Sequence, residues 1–245
     1  ISPETKAIVN RFLSLSAALP AFSGNLIENS DKIPIVTASS EKYFGLLISN
    51  IFLTSTSFQN SKFIVYDIGL SISQINILKS FDQDKVEYRK FDFEMLPVEL
   101  RFYKNMSWKI YIMMDILSSY GNLIWIDSSV SLISGDGQGI KNIIRQVLLQ
   151  NGTAVENSCF SFVSGPSQID ANTLINPAVK RFFPLDSQKL STIFGGQSHS
   201  FLATNFDLNC RNNLWIPLLI CSLTPECMDP SGHATRNCLD AARES

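Results

Sequence analysis

Few residues in this chain combine reactive chemistry with a telling position, and most of those that do end apolar runs. The run 122–126 stops at Asp127-Ser128-Ser129, which sets one carboxylate and two hydroxyls at a single point. A carboxylate there can hold a divalent cation or accept hydrogen bonds from sugar hydroxyls, and the plainer alternative is that it closes a turn. The run 62–66 ends in Asp67-Ile68-Gly69, and an earlier run passes through Thr37 and Ala38 into Ser39 and Ser40. Lys109 stands near the amino end of an expected helix, where its charge and the helix terminus both favour an anion; a solvated surface lysine is the other reading. The two histidines, His199 and His233, leave triad chemistry few bases and rule out a His-rich metal site.

The elements that must position these groups follow from periodicity. Residues 33–38, 62–66, 85–91 and 122–126 read as buried strands, and residues 41–54, 71–81 and 107–120 carry helical spacing between them. Ser71 with Gln74 forms a capping box, and Gly121 ends the last of these helices. Four strand–helix alternations with short connections predict an α/β fold: a single doubly wound, mostly parallel sheet with helices on both faces. The second half is less regular, with helices expected over 140–149, 177–183 and 213–223 and strands over 159–163 and 200–203. Residues 6–19 read as a helix within an N-terminal arm, residues 1–30, followed by one domain over 31–245. In an open parallel sheet, ligands bind beyond the strands' carboxyl ends where strand order reverses, which is where Thr37, Ser39, Asp67 and Asp127 fall.

Several function classes are disfavoured. No G-x-G-x-x-G or P-loop pattern follows the first strand, which argues against dinucleotide oxidoreductases, P-loop kinases and small-molecule methyltransferases, and no G-x-S-x-G elbow is present. Twenty basic residues nearly balance twenty-two acidic ones, without a basic run, so nucleic acid is not an expected partner. No stretch of about 18 apolar residues is present to span a membrane. The first residue is Ile1, so a processed piece is expected, and a signal or anchor could have been removed. The five cysteines lack zinc spacing. They read either as two disulfides of a secretory-pathway protein, with Cys159 left over, or as buried thiols. The sequons at Asn105 and Asn151 lean toward the secretory pathway.

The ordered blocks Ile35-Val36-Thr37-Ala38, Val65 to Ser71, Trp108-Lys109 and Leu123 to Ser129, with Ser198 to Thr204 and Cys238 to Ala242, resemble GT-A-type glycosyltransferases. More narrowly they resemble an animal family of unknown function, DUF1647, built on that plan, over roughly residues 30–245. The resemblance implies a GT-A-like, nucleotide-diphospho-sugar transferase fold. It also implies transfer of a hexose from a nucleotide sugar, a UDP-sugar first of all, to a glycan or glycoprotein acceptor. A catalytically inactive binding module for carbohydrate or protein is the alternative. Thr37, Ala38 and Ser39 would line the base and ribose pocket; Asp67 would face the nucleotide or cap the next helix; Lys109 would meet the diphosphate. Trp108 is core or a stacking platform. Asp127 stands at the first acidic position of the Asp-x-Asp metal motif, with Ser129 in place of the second, so Mn²⁺ or Mg²⁺ would either need help from the donor phosphates and His199 or be absent. His199 is core, metal ligand or base. Asp240 would be the acceptor-side base. The implied location is the Golgi lumen or the exterior, as the lumenal part of a type II membrane protein whose anchor has been removed.

Overall fold

The structure, a computed structural model, describes residues 2–17, 33–101, 106–132, 142, 159–162, 166–170, 194–196, 200–203 and 210–228. Helix α1 spans Pro3–Ala17 and strand β1 Ile35–Ser39. A 3₁₀ turn at Glu41–Tyr43 leads into α2, Phe44–Ser57. Then follow β2 (Phe63–Asp67), α3 (Ile72–Lys79), β3 (Val86–Lys90), α4 (Ser107–Tyr120) and β4 (Leu123–Ile126). The remaining elements are β5 (Phe160–Phe162), β6 (Pro166–Asp170), β7 (Phe194–Gly196), β8 (Ser200–Ala203), α5 (Ile216–Ser222) and α6 (Pro225–Met228). A π-helical turn at Arg211–Trp215 runs into α5.

Six strands form one sheet in the order β3-β2-β1-β4-β8-β5, and β6 pairs with β7 separately. Strands β1 to β4 are mutually parallel; β8 runs antiparallel to β4, and β5 antiparallel to β8. The expected doubly wound, mostly parallel sheet is therefore present. The reversed strand β8 was not expected, because four residues of apolar sequence carry no direction.

Alternation along the strands divides the core in two. Val36, Ala38, Ile64, Tyr66, Leu123, Trp125, Phe201 and Ala203 pack with residues of α1, α4 and α5, including Phe12, Trp108, Ile112 and Leu219. Ile35, Phe63, Val65, Val86, Ile124, Ile126 and Leu202 pack with Leu47 and Ile51 of α2 and Leu78 of α3. Each Val, Leu, Ile or Phe among them contributes about 1.5–3 kcal/mol when fully buried. Helix α1 joins the first of these layers through Val9 and Phe12, and Thr5 Oγ1 donates to the Leu223 carbonyl at 3.3 Å.

Local signals act as read. The Ser71–Gln74 capping box opens α3 with both reciprocal bonds. Gly121, at φ 75°, ends α4 in the left-handed conformation that favours glycine and donates its N–H to the Leu117 carbonyl. Two disulfides join Cys159 to Cys210 and Cys221 to Cys227. Cys159 is thus not the leftover thiol: it flanks β5, whose pairing with β8 and whose disulfide to Cys210, 51 residues onward, are both long-range and carry no local signal. The fifth cysteine, Cys238, both sequon asparagines, the expected helix at 177–183 and all of 140–149 except Asn142 lie outside the described residues.

Candidate functional site

Strands β1, β2 and β3 step outward in one direction, and the chain then returns through α4 to place β4 on the other side of β1. Strand order reverses between β1 and β4, and the place beyond Ser39 and Asp127 is where sheets of this kind bind ligands. The Asp127 backbone is held from two sides. Its carbonyl accepts from Val130 N at 2.9 Å, closing the turn, and from Asn50 Nδ2 of α2 at 3.4 Å. Buried Asn50 accepts in turn from Thr54 Oγ1 at 2.8 Å, and Thr54 accepts from Leu132 N at 3.2 Å.

The Asp127 carboxylate points toward the α4 layer. Its Oδ1 accepts from Lys109 Nζ at 2.9 Å and from Trp125 Nε1 at 2.7 Å. Trp125 reaches it because residues two apart on a strand share a face. Lys109 is the third residue of α4, and its side chain is 16% exposed against 30% for Asp127. Its ammonium lies 4.9 Å from the Trp125 ring centre and 5.7 Å from that of Phe201, and these two rings stack at 6.2 Å. Burial lowers the Lys109 pKa, and the Asp127 carboxylate works in the opposite direction. A cation in the first turn of a helix also opposes the helix dipole, so aromatic faces and a carboxylate offset two separate penalties at this one residue. The N-cap of α4, Met106, sits at φ 57° and offers no capping oxygen, while the buried Ser107 hydroxyl has no hydrogen-bond partner among the described residues.

The other expected site residues are placed as follows. Thr37 and Ser39 alternate with Val36 and Ala38, so their side chains face the α2 side of the sheet, and only Ala38 shares the face of Trp125 and Lys109. All three are buried; the Thr37 hydroxyl has no partner among the described residues, and Ser39 Oγ donates to the Ser40 carbonyl at 3.2 Å. The ends of β1 and β2 are knitted together by Ile68 N to Ser39 O at 3.1 Å and Glu41 N to Gly69 O at 2.8 Å. Asp67 is buried beneath that junction: Oδ1 accepts from Gly69 N at 2.8 Å and Leu70 N at 2.7 Å, and Oδ2 from Tyr88 OH at 2.9 Å. Gly69, at φ 131°, is the residue that lets the backbone fold over this carboxylate. Burial and the bond to Asp67 push the Tyr88 hydroxyl up to about 12. Trp108 is buried in the core, 6.2 Å from Trp125. Ser129 is exposed in the turn after Asp127. His199 and Asp240 lie outside the described residues.

A divalent cation does not fit the residues described. Lys109 Nζ and Trp125 Nε1 both donate to the same carboxylate oxygen of Asp127, and no three His, Cys, Asp or Glu side chains cluster for a metal among the described residues. Sequence reasoning passed over Trp125, Asn50 and Phe201; only the Trp-x-Asp spacing on one strand carried a readable signal. A second polar cluster also went unread. Tyr66 OH donates to Asp115 Oδ2 at 2.6 Å, and Arg89 reaches Asp115 at 3.3 Å and Glu87 at 2.6 Å. Beside it opens a cavity of about 380 Å³, lined in part by Arg11, Asp92 and Tyr111. No helix among the described residues is long and apolar enough to cross a membrane.

Residues 13–114 are similar to the family described as a protein of unknown function, DUF1647. No curated protein matches the chain. Among solved structures, it is similar to the galactosyltransferase LgtC in complex with donor and acceptor sugar analogs, with a TM-score of 0.43 and 13% identity over 70% of this chain and 58% of that one. It is similar also to the bifunctional glycosyltransferase WbbM in its apo form, with a TM-score of 0.43 and 13% identity over 78% of this chain and 34% of that one. The chain thus spans little more than half of one of these structures and a third of the other.

Proposed function

We propose that this chain is a glycosyltransferase of the GT-A type, moving a hexose from a nucleotide sugar to a glycan or glycoprotein acceptor in the secretory pathway. The observation that carries the reading is the Lys109–Asp127 pair at the β1–β4 crevice, where the amino end of α4 and a desolvated ammonium converge on one point. That is the chemistry a leaving diphosphate requires. In the reaction the acceptor hydroxyl oxygen bonds to the anomeric carbon, and the bond from that carbon to the diphosphate breaks. The electron pair leaves on the diphosphate, and the hydroxyl proton passes to a base, for which Asp240 is the candidate by resemblance. Lys109 would neutralise the departing charge, and Asp127 would hold Lys109 and accept from sugar hydroxyls. The two disulfides support an oxidising compartment.

A second reading, a binding module without catalysis, is favoured by one feature: Ser129 stands where a second acidic residue would assist a metal. Thermal-shift measurements with UDP- and GDP-sugars test both. Stabilisation by a nucleotide sugar that Asp127→Ala removes supports the enzyme, whereas stabilisation by free glycans alone supports the module. Stabilisation by S-adenosylmethionine would end both readings.

A further inference from the structure

The resemblance leaves open whether a divalent cation sits at Asp127, yet this carboxylate already has a counter-cation of its own. Lys109 Nζ stands 2.9 Å from Oδ1, and Trp125 Nε1 stands 2.7 Å from the same atom. Hard divalent cations approach their oxygens to about 2.0–2.6 Å and want several of them, preferably anionic. An ion at Oδ1 would have to displace one of these donors or stand against the ammonium. The ammonium is not easily displaced, because it is packed 4.9 Å over the Trp125 ring, in a stack that Phe201 completes. The nearby hydroxyl of Ser129 is neutral, on an exposed residue, and brings no compensating charge.

We propose that Lys109 takes the part of the divalent cation, so that the site holds a nucleoside diphosphate without any metal; this rests on the glycosyltransferase reading above. The positive field has two sources that act together. One is the ammonium, positioned by Asp127, whose orientation is fixed in turn by the Trp125 indole N–H. The other is the amino terminus of α4, a fourteen-residue helix whose N-cap, Met106, supplies no side-chain oxygen to its first amides. A helix terminus carries about half an elementary charge. Asp127 offsets part of the ammonium's charge while holding it in place, and the helix terminus adds its own positive end to what remains. The buried Ser107 hydroxyl at the first position of α4, without a partner among the described residues, marks the same end of the helix as polar and incompletely satisfied.

The experiment is calorimetric titration of the purified chain with UDP and with GDP, in EDTA and again with Mn²⁺ or Mg²⁺, together with titration of MnCl₂ alone. The expected result is a diphosphate affinity that agrees within about twofold with and without metal, and no saturable Mn²⁺ binding. Lys109→Gln should weaken the diphosphate about tenfold or more, with no rescue by Mn²⁺, while Lys109→Arg keeps the charge and most of the affinity. Diphosphate binding that appears only when Mn²⁺ is present overturns the inference and leaves the glycosyltransferase reading standing. A Lys109→Gln variant that binds as tightly as the parent overturns it as well. If neither nucleotide binds in either condition, the glycosyltransferase reading itself falls, and this inference with it. Should Lys109→Gln fail to fold, the comparison of EDTA with Mn²⁺ on the unaltered chain decides alone.

Discussion

Lys109 and Asp115 lie six positions apart on α4, and each ties that helix to the sheet, Lys109 through Asp127 beyond β4 and Asp115 through Arg89 of β3. The two ties are built differently. On the β3 side, Lys62, Glu87, Arg89 and Asp115 alternate in sign along a connected series, with contacts of 2.7, 2.6 and 3.3 Å, and the Tyr66 hydroxyl adds a donor to Asp115. Burial pushes the Tyr66 pKa well up, and the Asp115 charge adds to that, so the phenol stays protonated and keeps donating. Such a network braces an edge strand. At the crevice one ion pair stands out among the described residues, laid on aromatic rings beside a helix terminus whose N-cap, Met106, offers no side-chain oxygen. The lesson is that an ion pair is a candidate for chemistry by where it stands in the fold, here at the point where strand order reverses, and not merely because it is buried.

The comparison can be broken most severely at Lys109. Lys109→Met is expected to remove nucleotide-induced stabilisation, a loss of about tenfold or more in affinity, because a charge-assisted contact disappears. Arg89→Met should do the reverse, with nucleotide binding kept but unfolding stability lower by about 1–3 kcal/mol, since Glu87 and Asp115 lose a shared partner that is only partly exposed. Denaturant melts and titrations on the two variants give the readout, and a loss of binding in Arg89→Met would dissolve the distinction. A smaller effect is expected from Trp125→Phe, which keeps a ring beneath Lys109 but deletes the Nε1 donor to Asp127, at about 1 kcal/mol.

The subtlest test is pH. Because burial lowers the Lys109 pKa, the folded chain gives up that proton at a lower pH than the unfolded chain does. Between the lowered value and 10.5 the unfolded state therefore binds more protons, and the contribution of Lys109 to stability rises with pH. In the same window the ammonium is lost, so nucleotide affinity should fall at a pH below 10.5, and Lys109→Arg should move that fall upward. An affinity profile unchanged by the arginine variant would show that the lysine charge is not what the ligand meets.

Much of the frame was readable along the chain. The helix expected over 107–120 has those bounds, the strand expected over 200–203 likewise, and the Ser71–Gln74 box caps as drawn. These are local matters of periodicity, capping and left-handed glycine. Strand ends shifted by a residue or two: the first was read at 33–38 and runs Ile35–Ser39, because pairing with β2, in register to Ser39 and Asp67, sets its limit. The expected helix at 213–223 begins instead as a π turn at Arg211, just after Cys210, whose disulfide to Cys159 no local pattern discloses. The reversed strand β8 and the β6–β7 pair were likewise unreadable, since short apolar runs carry neither direction nor partner.

The sequence by itself determined that Asp127 ends a buried strand and that Lys109 opens a helix, because hydrophobic periodicity and its interruption are written residue by residue. Only the tertiary structure decided that these two groups meet, that both bear on Trp125, and that Thr37 and Ser39 turn to the other side of the sheet. The reason is physical. A salt bridge across 18 residues depends on strand order and on where a helix crosses the sheet, and those are set by how the two apolar layers pack, which no stretch of sequence states alone.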